Sequence, residues 1–86
     1  MDGSFRDWKD AKIHVLTNTL HYGTGVFEGV RAYETKSGPA IFRLEDHTDR
    51  LFNSANLVGM KIPFDKETLM RAQCDAVSKN NLNNAY

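Results

Sequence analysis

The sequence holds little of what staples or metallates a small protein. Cys74 is the only cysteine, so no disulfide can close within the chain. Three histidines, at 14, 21 and 47, are too scattered to give a metal-ligand set of the usual spacing. Charge of one sign is also missing: 11 Lys and Arg face 11 Asp and Glu, with no basic run or stripe, which argues against nucleic acid and anionic membranes as partners. No apolar run approaches membrane-spanning length, and residues 1–10 are polar rather than a basic stretch ahead of an apolar core. A reducing, cytoplasmic setting is expected. At 86 residues the chain is one domain at most, with a folding margin that depends on burying nearly all its apolar surface.

What is present is a change of hydrophobic period. Ile13 and Val15 alternate with Lys12 and His14, which predicts a half-buried strand over 11–16. Residues 17–24 are too polar and aperiodic for either regular element and read as an ordered loop. Period two returns over 25–34, with Val26, Val30 and Ala32 on one face and Phe27, Gly29, Arg31 and Tyr33 on the other. Lys36-Ser37-Gly38-Pro39 is a turn cluster, and residues 40–43 return as the second arm of a hairpin. Leu44, His47, Thr48, Leu51, Phe52, Ala55 and Val58 then recur at helical spacing, stopped by Gly59 with Pro63 beyond it. Asp65 can cap a second helix, with Phe64 and Leu69 placed to close a hydrophobic staple. Its buried side is marked by Leu69, Gln73, Ala76 and Val77, and Asn80 or Asn81 can end it; residues 82–86 are apt to begin a further strand. The expected fold is α+β, an antiparallel sheet with two α-helices packed on one face.

Several residues admit both a chemical and a structural reading. Gly29, between Phe27 and Arg31 on one strand face, marks either close approach of a flat or anionic ligand or a plain bulge. Arg31 can bind a carboxylate or phosphate through its planar fork, though most surface arginines are solvated. Glu28 points to the opposite face, where a structural salt bridge or hydrogen bond is the expected role. His47, Arg50 and Ser54 share one helix edge, an anion site or a solvated edge. By residue type, His47 is a helix-packing histidine and Cys74 a small core residue without a basic partner. No nucleophile with its base, phosphate-cradling glycine loop or paired-carboxylate site is visible.

The run from His21 through Tyr22, Gly23, Gly25, Phe27, Glu28, Gly29 and Arg31 to Tyr33, followed by Ile41-Phe42-Arg43-Leu44 and His47-Thr48-Asp49-Arg50-Leu51, resembles the fold-type IV aminotransferases over almost the whole chain. Trp8, Asp10-Ala11-Lys12 and Val15-Leu16-Thr17 bring it nearest to the bacterial branched-chain amino acid aminotransferases. D-amino acid aminotransferases and aminodeoxychorismate lyases share the fold and parts of the pattern. The resemblance implies pyridoxal phosphate as cofactor, amino acids and 2-oxo acids as substrates, and a homo-oligomer, dimeric or higher. It implies that Arg50 binds the cofactor phosphate, and that Phe27, Gly29 and Arg31 line the substrate cavity. Tyr22 would reach into a neighbouring subunit and Tyr86 would lie near the substrate carboxylate.

In that family the lysine that bonds to the cofactor, the acid that pairs its ring nitrogen and a second phosphate-binding loop belong to a larger C-terminal domain. None of Lys9, Lys12, Lys36, Lys61, Lys66 and Lys79 aligns with that lysine. Residues 1–86 are accordingly expected to be an N-terminal small domain, incomplete at both ends, that holds no catalytic residue, is inactive by itself and binds the cofactor weakly if at all. The alternative from another class is a non-catalytic binding or dimerisation module.

Overall fold

The computed structural model describes residues 1–86. Its ordered elements are a 3-10 turn at Trp8–Asp10, α1 (Asn18–Tyr22), β1 (Ala32–Thr35), β2 (Gly38–Ile41), α2 (Leu44–Leu57) and α3 (Lys66–Lys79). β1 and β2 pair antiparallel with Ala32 opposite Ile41 and Thr35 opposite Gly38. Residue 85 extends this ladder: the Ala32 amide donates to the Ala85 carbonyl at 3.0 Å and the Ala85 amide returns the bond at 3.1 Å. The sheet and the two long helices form the expected α+β arrangement.

Both long helices stop and start where local chemistry dictates. At the end of α2 the Gly59 amide donates to the Asn56 carbonyl (3.1 Å) and the Met60 amide to the Ala55 carbonyl (2.8 Å). This paired closure needs a left-handed residue, and Gly59 supplies it at φ 71°. At the start of α3 the Asp65 carboxylate accepts the Thr68 amide at 2.7 Å, which also lowers the Asp65 pKa. The expected stripe of α2 faces inward except Val58, which lies past the last turn and is exposed.

α2 and α3 are joined by polar bonds as well as packing. Lys66 reaches Asp49 (2.6 Å) and Glu45 (3.0 Å), and Gln73 Nε2 donates to Thr48 Oγ1 at 3.4 Å. The fully buried set is small, only Ala32, Thr48 and Ala55. A radius of gyration of 14.3 Å, against about 12 Å for a compact chain of this length, goes with an elongated outline of 44 × 30 × 19 Å.

Four local expectations are corrected. Residues 11–16 form no strand, because their polar backbone groups are taken locally: the Leu16 amide donates to His14 Nδ1, the Thr17 amide to the His14 carbonyl, and His21 Nε2 to the Val15 carbonyl. The loop expected at 17–24 contains α1, five residues too short to show a period, closed by Gly23 at φ 66°. Of the strand expected over 25–34, only residues from Ala32 are paired, while β2 begins at Gly38. Cys74 is exposed, since it faces away from the side of α3 that carries Gln73 and Val77.

Candidate functional site

The segment between Gly25 and Ala32 keeps the two-faced character read from its sequence even without a pairing partner. Val26, Glu28, Val30 and Ala32 turn inward, while Phe27, Arg31 and Tyr33 are exposed. On the inner face Glu28 meets α2, and Val30 and Ala32 line a cavity with Gln73, Ala76 and Val77 of α3.

On the inner face Glu28 is the centre of a three-residue cluster. Its side chain is 10% exposed. Arg50 Nε donates to Glu28 Oε1 at 2.5 Å and Arg50 Nη2 to Oε2 at 2.7 Å, a two-bond fork. His47 Nδ1 contacts Oε2 at 2.8 Å. The Arg50 bonds, then the His47 bond, hold the Glu28 carboxyl down at about 2 against 4.5, and the same Glu28 bond raises the Arg50 pKa. Glu28 is therefore an anion at neutral pH that can only accept, so His47 carries a proton on Nδ1. Spacing along the helix explains the convergence, because residues 47 and 50 lie one turn apart on one edge. Ser54, on the same edge, makes no side-chain hydrogen bond to this cluster. The sequence pointed to an ion pair at Glu28 and to a shared edge for His47 and Arg50; that they are one cluster required the tertiary contact.

On the outer face Gly29, Arg31 and Tyr86 come together. The Arg31 guanidinium lies 5.1 Å from the centre of the Tyr86 ring. A Cβ at Gly29 would stand 2.7 Å from the Tyr86 hydroxyl, so the space left by the missing side chain is filled by that phenol. Tyr86 is held there because its neighbour Ala85 is bonded to Ala32. Phe27, on the same face, is 88% exposed. Tyr22 stands apart on α1, 80% exposed, with His21 as its ring neighbour at 6.2 Å. Arg50 keeps 65% of its side chain exposed although two of its nitrogens are committed to Glu28. No group of three His, Cys, Asp or Glu residues is arranged to hold a metal ion, and no helix is long and apolar enough to cross a membrane.

A family model described as amino-transferase class IV matches residues 25–86, the stretch that contains both clusters. The chain belongs to the class IV aminotransferases. It is 58% identical over 85 residues to the branched-chain-amino-acid aminotransferase of Pseudomonas aeruginosa, a match that covers 99% of this chain and 28% of that protein. The fold superposes on the crystal structure of the Escherichia coli branched-chain amino acid aminotransferase with a TM-score of 0.95 at 44% identity, over 99% of this chain and 28% of that one. On the branched-chain amino acid aminotransferase of Thermoproteus uzoniensis, solved with norvaline, it superposes with a TM-score of 0.89 at 41% identity, over 95% of this chain and 28% of that one. The chain thus spans somewhat more than a quarter of the length of the relatives it matches. Within this class IV fold the inner cluster ties the extended segment to α2, and the outer cluster presents a guanidinium, a phenol and an aromatic ring on one accessible face.

Proposed function

We propose that these residues form one wall of the active site of a pyridoxal-phosphate-dependent branched-chain aminotransferase, which moves an amino group reversibly between leucine, isoleucine or valine and 2-oxoglutarate. The observation that carries the reading is the outer cluster: Gly29, Arg31 and Tyr86 meet on one face of a segment whose whole length is similar to branched-chain aminotransferases.

The donor chemistry of Arg50 fits the cofactor. Nε and one Nη2 hydrogen are spent on Glu28, while Nη1 and the other Nη2 hydrogen remain to donate to a phosphate dianion. Pyridoxal phosphate supplies the electron sink that makes the α-hydrogen of an amino acid removable and carries the amino group between substrates. The chain's own residues bind and orient. Arg50 anchors the phosphate, the Phe27 ring forms an apolar wall, and Arg31 with Tyr86 offers a cation and a hydroxyl for substrate carboxylate. Tyr22, on α1 and 80% exposed, serves a neighbouring subunit in a homodimer. The base that moves the proton lies outside residues 1–86 on this proposal, and the exposed Trp8, Phe27 and Tyr86 are surface for the rest of the active site to cover. The protein acts in the cytoplasm.

The test is turnover by the full-length protein carrying this segment, supplied with pyridoxal phosphate. Glutamate should form from leucine and 2-oxoglutarate, and residues 1–86 alone with cofactor and leucine should show no conversion above free cofactor. Preference for a D-amino acid, or release of an aromatic amine from aminodeoxychorismate, would move the protein to another branch of the family. Turnover by residues 1–86 alone would refute the assignment of the base elsewhere.

A further inference from the structure

A carboxylate beside a phosphate-binding arginine is electrostatically counterproductive. Glu28 cancels much of the Arg50 charge and repels a dianion, so its presence calls for a compensating role. The geometry supplies one. Arg50 is a long, largely exposed side chain with many rotamers, and ordering such a chain costs conformational entropy. Glu28 is nearly covered and further anchored by His47, whose Nδ1 meets Oε2 at 2.8 Å. It engages Arg50 through Nε (2.5 Å) and Nη2 (2.7 Å), one of the two paired edges of a planar guanidinium. The second edge, Nη1 with Nη2, points away from the first and has the spacing to donate twice to one phosphate.

We infer that Glu28 is a positioning residue for the cofactor phosphate, fixing one edge of the Arg50 guanidinium so that the other is held ready for the phosphate oxygens. The inference rests on the reading of Arg50 as the phosphate ligand. Charge and positioning predict opposite signs for one substitution. Glu28→Gln removes the repelling charge and keeps the shape, but the amide carries one acceptor oxygen in place of two. Its NH2 group then meets the N–H donors of Arg50 or His47. If the charge governs, the phosphate binds tighter; if positioning governs, it binds more weakly.

The experiment compares the full-length protein, freed of cofactor, with its Glu28→Gln, Glu28→Asp and Arg50→Ala variants. Two ligands that form no covalent bond are titrated: pyridoxamine 5'-phosphate and pyridoxamine, which lacks the phosphate. Arg50→Ala must weaken the phosphorylated ligand selectively. If it does not, the reading of Arg50 falls and this inference with it. With that control in place, Glu28→Gln is expected to weaken pyridoxamine 5'-phosphate about tenfold, the size seen when partners orienting a metal ligand are lost, and to leave pyridoxamine unchanged. In an Arg50→Ala background it should have little further effect. Glu28→Asp keeps the charge and both oxygens but, one methylene shorter, draws the carboxylate back out of reach of the Arg50 donors, so it should show the same selective loss even if the glutamine variant does not fold. Equal or tighter binding of the phosphate ligand by the glutamine variant overturns the inference, as does wild-type binding by the aspartate variant or an equal loss for both ligands.

Discussion

Replacing Gly29 with alanine would place a Cβ 2.7 Å from the Tyr86 hydroxyl and 3.3 Å from two of its ring carbons. The first distance is closer than carbon and oxygen pack, so the phenol must withdraw by more than half an ångström. It can do so cheaply, because Tyr86 is 87% exposed and the clashing atom is the far end of its side chain. Two stability effects then nearly cancel. Loss of the Arg31 stack costs about 0.5–1 kcal/mol at an exposed site. Alanine in place of glycine at a backbone outside the left-handed region returns about 0.4–1 kcal/mol by restricting the unfolded chain. Urea denaturation of Gly29→Ala should therefore stay within about 1 kcal/mol of wild type, by balance of those two effects. On the proposed function substrate binding should not be spared, because the Tyr86 hydroxyl is displaced and Arg31 loses its stack: KM for leucine should rise while cofactor affinity holds. Removing the hydroxyl as well, in Gly29→Ala with Tyr86→Phe, leaves only the 3.3 Å ring contacts and should bring back the Arg31 stack. A single variant with unchanged KM, or a double variant in which the ring stays displaced by NMR, would refute the placement of Tyr86 over Gly29 as the determinant.

Two further outcomes follow from the same geometry. The Glu28 carboxyl titrates near 4.5 when unpaired and at about 2 in the folded chain. Between those values the unfolded chain takes a proton that the folded one refuses, so the contribution is complete above about pH 4.5 and is lost as pH falls toward 2. Urea midpoints at pH 7, 4 and 3 should drop more steeply for wild type than for Glu28→Gln, and parallel curves would contradict this. Gly59→Ala meets no atom within 4 Å of the new Cβ, so its whole cost is the left-handed backbone at φ 71°. That amounts to about 1–2 kcal/mol, readable as a lower urea midpoint with unchanged slope.

The parts of the fold legible in the sequence are those whose bonds close within a few residues. Asp65 caps α3 through an amide three residues on, and Gly59 closes α2 on carbonyls three residues and less than two turns back. The stripe from Leu44 to Ala55 is visible because fourteen residues hold nearly four helical turns. Where a period had no length or no partner, reading failed. Five residues of α1 carry too few repeats to register. The alternation at Ile13 and Val15 was real as a pattern but found no neighbouring strand, and histidine side chains took the backbone bonds instead. Cys74 shows the same limit, since residue type favours burial but the helix face it occupies is exposed.

By itself the sequence determined the class of the fold, the ends of both long helices, the two-faced segment over residues 26–33 and, through its motif run, the family to which the chain belongs. Tertiary structure alone decided which groups share a site. Glu28 and Arg50 are 22 residues apart, and Tyr86 comes over Gly29 only because Ala85 adds to the edge of β1. Such contacts depend on how α2 and the chain's last residues dock against the segment. A hydrogen bond between side chains that distant leaves no period and no spacing in the sequence, whereas a cap or an amphipathic stripe is written in adjacent turns.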